Sequence, residues 1–400
     1  MYLLKKIRVK LNRFFDNLLR IVCSSFFARL ARIGDCVFFE SFPELDGSPW
    51  MIYKEMKKRD FDKRYKLIWL VGKNYELPDD VLSLPIFGER SFIKKIRYYW
   101  ILAKAKVIVD SNRFVYKVNP KTFRLHTQHG APLKNCLGYT EQLGNVDAIL
   151  SLSDNLIESQ EKLYTSAKGK FYSLGYPTND RLFDNVDLYK NGFWEYVTSS
   201  SMRYSKIIGW LPTYRQHTKN GAGSKRVFPY GVPLLYSEED FKLLNDLLKN
   251  RNMLLVVQMH HAQAKNFPVL NFSNIILVSQ QQKEKLKVST ANLMSCFDAM
   301  ITDYSAAYHE YILLDRPVAL SVDDYDDYAE NPGFCIDYFE WIKGVYLKNS
   351  KDLIQFVNDV SNGIDSAKIE RNSAKERIHK YLDNHSTERV VDYICEKVKL

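Results

Sequence analysis

Short apolar runs that end in polar residues recur along this chain in two series, and no other feature limits the fold as much. The first series comprises Cys36–Glu40, Lys66–Val71, Lys106–Asp110, Phe123–Thr127, Ala148–Leu152 and Phe171–Leu174. The second comprises Lys206–Thr213, Met253–His260, Ile275–Val278, Ala299–Thr302 and Pro317–Leu320. Helix-like stretches separate the runs. Near-continuous β-branched and aromatic runs between helices indicate parallel strands covered on both faces. At 400 residues the chain also exceeds one ordinary core. The expectation is an α/β fold with two Rossmann-like parallel-sheet domains facing a cleft. We place an amino-terminal helix at residues 1–34, the domains at 35–190 and 200–365, and carboxy-terminal helices at 366–400.

Lys plus Arg number 57 against 47 Asp plus Glu, a formal net charge of +10, which favours an anionic partner. Much of that charge opens the chain. Lys5, Lys6, Arg8, Lys10, Arg13, Arg20, Arg29 and Arg32 interleave with Leu4, Ile7, Leu11, Phe14, Phe15 and Leu18 at helical spacing. Such a basic amphipathic helix suits an anionic membrane interface; the alternative is packing on its own domain or on a second subunit. No helix-turn-helix or RNA-binding motif supports a nucleic-acid partner. No run is long enough to span a bilayer, and no signal-peptide core precedes a cleavage site. Cys23, Cys36, Cys136, Cys296, Cys335 and Cys395 form no CxxC pair, so reduced thiols in a cytoplasmic protein are expected.

Chemistry is concentrated at the polar ends of the runs. In His129-Gly130-Ala131-Pro132-Leu133-Lys134, Gly130 permits a tight turn that would leave His129 on a cleft rim. A neutral imidazole there suits proton removal from a hydroxyl, although a structural, hydrogen-bonded histidine fits the same spacing. His260 ends an apolar strand of the second unit and suits a phosphate contact. His261 beside it raises a metal site as the alternative, but no convincing third ligand accompanies the pair. In Thr302-Asp303-Tyr304-Ser305, Thr302 and Ser305 offer hydroxyls to a pyrophosphate, and Asp303 is suited to orienting a neighbour. Arg215 and the loop Lys219–Arg226 either close over a diphosphate or form a solvated surface loop. Gly130, Lys134, Asn179 and Asp180 are further cleft candidates. The spacings of a P-loop, a dinucleotide-binding GxGxxG and a GxSxG elbow are absent.

Five segments occur in order: Phe39–Pro43, Gln128–Lys134, Gly175–Asp180, Pro212–Arg215 and Ile301–Ser305. Together with Leu313–Pro317 and Asp323-Asp324-Tyr325 they resemble the CDP-glycerol glycerophosphotransferase family of teichoic acid and capsule synthesis, over roughly residues 36 to 360. The resemblance implies a GT-B-like transferase. Such an enzyme moves a polyol phosphate from a CDP-polyol to a polyprenyl-diphosphate-linked acceptor at the cytoplasmic face of the membrane and releases CMP. It implies His129 as the general base and His260 as the second essential histidine. Thr302, Ser305 and Arg215 fall on donor-binding motifs, and no cofactor or firm metal requirement is implied. Three departures stand out: His260-His261 replaces His-Pro, Ala306 replaces a serine, and His309-Glu310 replaces an aspartate-aromatic pair. These leave ribitol or another polyol open as the transferred group. The length suits a primase or a compact capsule enzyme. The rival readings are a GT-B glycosyltransferase using a nucleotide sugar and a basic membrane-bound scaffold.

Overall fold

The computed structural model describes residues 17–72, 77–86, 92–112, 115–128, 130–135, 143, 145–213, 228–259 and 272–400. Within them are two parallel sheets. The first holds β1 (Cys36–Phe39), β2 (Lys66–Val71), β3 (Leu82–Pro85), β4 (Ala105–Asp110), β5 (Phe123–His126), β6 (Ala148–Ser151) and β7 (Phe171–Ser173), in the order β3-β2-β1-β4-β5-β6-β7. The second holds β8 (Lys206–Trp210), β9 (Met253–Val257), β10 (Ile275–Leu277), β11 (Ala299–Thr302), β12 (Val318–Ser321) and β13 (Val345–Leu347), in the order β10-β9-β8-β11-β12-β13. Strand order reverses between β1 and β4 and again between β8 and β11. A crevice opens at the carboxyl ends of strands at such reversals.

The apolar runs fold as the expectation has it. Every residue of β9, β11 and β12 is buried, because helices cover both faces of the sheet. Gly209 in β8 is required by packing: a Cβ there would lie 2.1 Å from the Phe297 ring. Two strands lie outside the sequence expectation. β3 is a largely exposed edge strand ending in Pro85, and β13 is a three-residue edge strand. Neither needs the continuous apolar run that marks a doubly covered strand.

The carboxy-terminal helices do not stay with the second domain. Helix α1 (Gly47–Lys58) belongs to the first domain. Helix α2 (Ala307–Tyr311) follows β11 in the second. Helix α3 (Lys368–Ile378) packs on both domains, and helix α4 (Ser386–Val398) then crosses back to pack on α1. Lys380 N–H donates to the Leu152 carbonyl at 3.0 Å on the way. Val390, Val391 and Ile394 of α4 join the same buried cluster as Ile52 and Met56 of α1.

Of the amino-terminal helix, residues 17–30 are helical and residues 1–16 lie outside the described residues. Cys23, Ser24 and Ala31 face inward, and Phe27 packs edge-on against Trp100 at 5.2 Å. Leu18, Ile21, Val22, Phe26 and Leu30 are exposed. They recur every three or four residues, so they form one face. Among the described residues no helix is long and apolar enough to cross a membrane. Cys23, Cys36, Cys296, Cys335 and Cys395 are free thiols, and Cys136 lies outside the described residues.

Candidate active site

The carboxyl ends of strands from both sheets open onto one cavity of about 1110 Å³ between the domains. The first domain contributes Ser41–Glu44 after β1, Ser111 and Asn112 after β4, Gln128 and Gly130 after β5, and Tyr176 and Thr178 after β7. The second contributes Leu211 and Pro212 after β8, Gln258 and Met259 after β9, Val278–Gln281 after β10, and Ser305–Ala307 after β11. His129, Arg215 and His260 lie outside the described residues. Their chain neighbours Gln128, Gly130 and Met259 line the cavity.

The Thr-Asp-Tyr-Ser segment divides by direction. Thr302 is fully buried and its Oγ1 donates to the Leu211 carbonyl at 2.8 Å. Asp303 is fully buried and accepts from the Thr213 N–H at 2.9 Å and the Thr213 Oγ1–H at 2.6 Å. Tyr304 stacks on Tyr328 with ring centroids 4.2 Å apart, and its hydroxyl donates to Asp324 at 3.1 Å. Only Ser305 of the four reaches the cavity, followed by Ala306 and Ala307. Thr302 therefore turns away from the cavity in which a phosphate contact was expected, and Asp303 holds the Thr213 N–H and hydroxyl. They tie the end of β11 to residues 211–213, which lead into the segment that carries Arg215.

The other cleft candidates also separate. Gly130 lines the cavity with φ +132°. Lys134 does not line it; the residue pairs antiparallel with Phe334 of the second domain. Around that bridge Asn135 N–H donates to the Gly333 carbonyl and Cys335 N–H to the Leu133 carbonyl, each at 3.1 Å. Phe334 in turn lies 5.3 Å from the Tyr304 ring, so the segment following His129 is fastened to the donor-motif side. Asn179 and Asp180 are buried away from the cavity lining. Asp180 accepts from the N–H groups of Ser386 and Thr387 at 3.1 and 2.7 Å, holding the start of α4. Burial pushes its carboxyl up, against the pull of those hydrogen bonds.

Beneath the first-domain rim, Asp110 sits between Arg124 and the Nδ1 of His126, each at 2.8 Å. Burial pushes its carboxyl up, but Arg124 and then His126 outweigh burial and hold it below its ordinary range. This buried trio locks the ends of β4 and β5 together. Gln128 follows in the left-handed region at φ +58°, with its Nε2 donating to the Leu150 carbonyl at 2.9 Å. A non-glycine residue tolerates that backbone only where its surroundings hold it there.

Among the described residues, the acidic side chains lining the cavity are Glu44, Asp46, Glu284 and Glu310. Glu44 accepts from Trp69 Nε1 and the Gly72 N–H, and Asp46 pairs with Arg181 at 2.7 Å. Burial, and then the charge of Asp46, push the Glu310 carboxyl up to about 7. Behind the wall, burial pulls the Lys283 ammonium down to about 8. No group of metal-ligating side chains is assembled among the described residues. Asp46, Gln258, Lys283 and Thr290 carry no local sequence signal. They come from separate elements and meet only in the folded chain.

The sequence model of a family described as CDP-Glycerol:Poly(glycerophosphate) glycerophosphotransferase matches residues 24–396. A teichoic acid poly(glycerol phosphate) polymerase of Bacillus subtilis (strain 168) is 25% identical over 359 residues, which cover 82% of this chain but only 44% of the polymerase. A protein of the same name from Bacillus spizizenii is 26% identical over 389 residues, covering 90% of this chain and 91% of that one. The solved wall teichoic acid polymerase TagF superposes with a TM-score of 0.70 at 19% identity, over 97% of this chain and 98% of that one. That structural likeness shows the fold, which is the GT-B-like pair of parallel-sheet domains. With the family model spanning both domains and their shared cleft, the chain belongs to the CDP-glycerol:poly(glycerophosphate) glycerophosphotransferase family.

Proposed function

We propose that this chain moves glycerol phosphate, or a related polyol phosphate, from a CDP-activated donor to a hydroxyl of a lipid-linked acceptor and releases CMP. One observation carries the reading. Gly130, next to His129, and Ala306, next to Ser305, meet in contact at the wall of a cavity lined by both domains. Phosphoryl transfer needs positioning and charge stabilisation more than covalent chemistry. A cleft that brings a histidine-glycine loop against a donor motif supplies the positioning.

In this reading His129 takes the proton of the acceptor hydroxyl. The oxygen attacks the phosphorus attached to glycerol, and the bond from that phosphorus to the bridging oxygen breaks. CMP leaves with the electron pair. Arg215, His260 and the Ser305 hydroxyl offset the charge of the leaving diphosphate oxygens. Thr302 and Asp303 hold the frame from behind, through Leu211 and Thr213. The exposed face of Leu18, Ile21, Val22, Phe26 and Leu30 supports contact with a membrane that carries the acceptor.

The test is CMP release from CDP-glycerol on a synthetic polyprenyl-linked acceptor, with product mass analysis. Wild-type protein should release CMP and lengthen the acceptor by one polyol phosphate. His129→Ala should reduce release by at least about a hundredfold with an unchanged circular dichroism spectrum. Turnover close to wild type in that variant would remove His129 as the base.

A further inference from the structure

Thr290 faces the cavity with a buried ammonium behind it. Lys283, on the helix Gln280–Lys285, is only 2% exposed, and its Nζ donates to Thr290 Oγ1 at 2.7 Å. Gln258 Nε2 donates to the same oxygen at 3.3 Å. A hydroxyl offers two acceptor positions and one hydrogen, and an ammonium can only donate. The Thr290 oxygen thus faces two donors, and its own hydrogen is left for the cavity that Thr290 lines. The one acceptor nearby, Gln258 Oε1, is buried without a partner, and the amide is placed with its Nε2, not its Oε1, toward Thr290, so among the described residues nothing takes that hydrogen.

We propose that Lys283 and Thr290 form a two-member donor relay that binds a hydrogen-bond-accepting oxygen of the ligand in the cleft. Thr290 makes the contact, and Lys283 is a positioning residue that fixes the direction of the hydroxyl. In the low dielectric behind the wall the ammonium also polarises that hydroxyl and strengthens its donation. A site of this polarity rejects cations and groups that can only donate. It is also of opposite character to the carboxyl groups of Glu44, Asp46, Glu284 and Glu310 elsewhere in the described lining. The relay rests on the reading of the cleft as a CDP-polyol site. Two kinds of oxygen in such a donor fit it: a diphosphate oxygen and the carbonyl oxygen of the base.

The experiment measures dissociation constants of CDP-glycerol, cytidine and inorganic pyrophosphate for the full chain and for Thr290→Val, Thr290→Ser, Lys283→Met and the double variant Lys283→Met/Thr290→Val. Thr290→Val should weaken CDP-glycerol by about tenfold or more, and Thr290→Ser should bind like wild type. Lys283→Met should also weaken binding, while the double variant should be no worse than Thr290→Val alone, since both changes remove one relay. A parallel loss for pyrophosphate assigns the contact to phosphate; a parallel loss for cytidine assigns it to the base. CDP-glycerol binding within about twofold of wild type in Thr290→Val overturns the relay. So do losses that simply add in the double variant. A wild-type chain that binds one of the fragments but not CDP-glycerol overturns the donor reading, and the relay is then judged on that fragment. Binding of none of the three overturns both.

Discussion

Gly130 and Ala306 touch across the cleft: a Cβ atom on Gly130 would stand 2.8 Å from the Ala306 Cβ. The two residues belong to different domains. One follows the candidate base in the chain, and the other follows the donor motif. Their contact leaves no room for a side chain on the first-domain side, and φ at Gly130 is +132°, a region that glycine alone occupies without strain.

Gly130→Ala should therefore cost activity well before it costs folding. The strained backbone alone costs about 1–3 kcal/mol, and a 1 Å displacement of the loop lowers turnover by about a hundredfold. Ala306→Gly in the same chain should recover part of the loss, because it removes the clash and leaves the strain. Steady-state CMP release from the single and double variants checks both statements.

Glu310 predicts a pH-dependent gain in stability. Its carboxyl titrates near 7 in the folded chain and near the ordinary value when unfolded. A raised acid keeps its full contribution below the unfolded value and loses it as pH rises through about 7. Glu310→Gln should be more stable than wild type at pH about 8, by about 1–3 kcal/mol, with the difference vanishing at about pH 4. Urea unfolding at the two pH values measures it. A gain independent of pH would point away from the carboxyl charge.

His309 and His379 predict the opposite trend. Burial, then mutual repulsion, pulls His309 down to about 3, and burial pulls His379 down to about 4. Both are neutral in the folded chain. Their stabilisation is complete above pH about 6.5 and is lost as pH falls through the lowered values. His309→Phe should flatten the fall of melting temperature between pH 7 and 4. A curve that remains as steep as that of wild type would assign acid sensitivity to other groups.

Asp180 predicts a structural loss with no direct effect on the chemistry. Asp180→Ala leaves two N–H groups at the start of α4 without their acceptor and leaves the Thr387 hydroxyl only the longer bond to the Pro177 carbonyl. The expected cost is about 2–4 kcal/mol, seen as a lower urea midpoint. The KM for CDP-glycerol in the folded fraction should not change.

The exposed face of residues 17–30 predicts lipid binding. Val22→Glu with Phe26→Glu places two charges on the exposed apolar face. Sedimentation with vesicles rich in anionic lipid should fall by about tenfold or more. Activity on a water-soluble acceptor should stay at the wild-type level. Unchanged vesicle binding would move the membrane contact elsewhere.

Sequence periodicity was enough for two parallel sheets, because a strand buried on both faces must be apolar throughout and its sheet-end residues polar. The ordered motifs around Gly130 and Ser305 likewise marked the two sides of one cleft. Edge strands β3 and β13 escaped detection because half-solvated strands need no such pattern. The return of α4 to the first domain was equally hidden: its amphipathic face fits any apolar surface, and Asp180, which anchors it, lies 206 positions away in the chain. Tertiary structure alone turned Thr302 and Asp303 inward and Ser305 outward. It also set Lys283 behind Thr290 and left Glu310 beside Asp46. Composition and spacing report which groups a chain carries, but the direction of a hydroxyl or the charge of a carboxyl depends on neighbours supplied by distant elements and on the water they exclude.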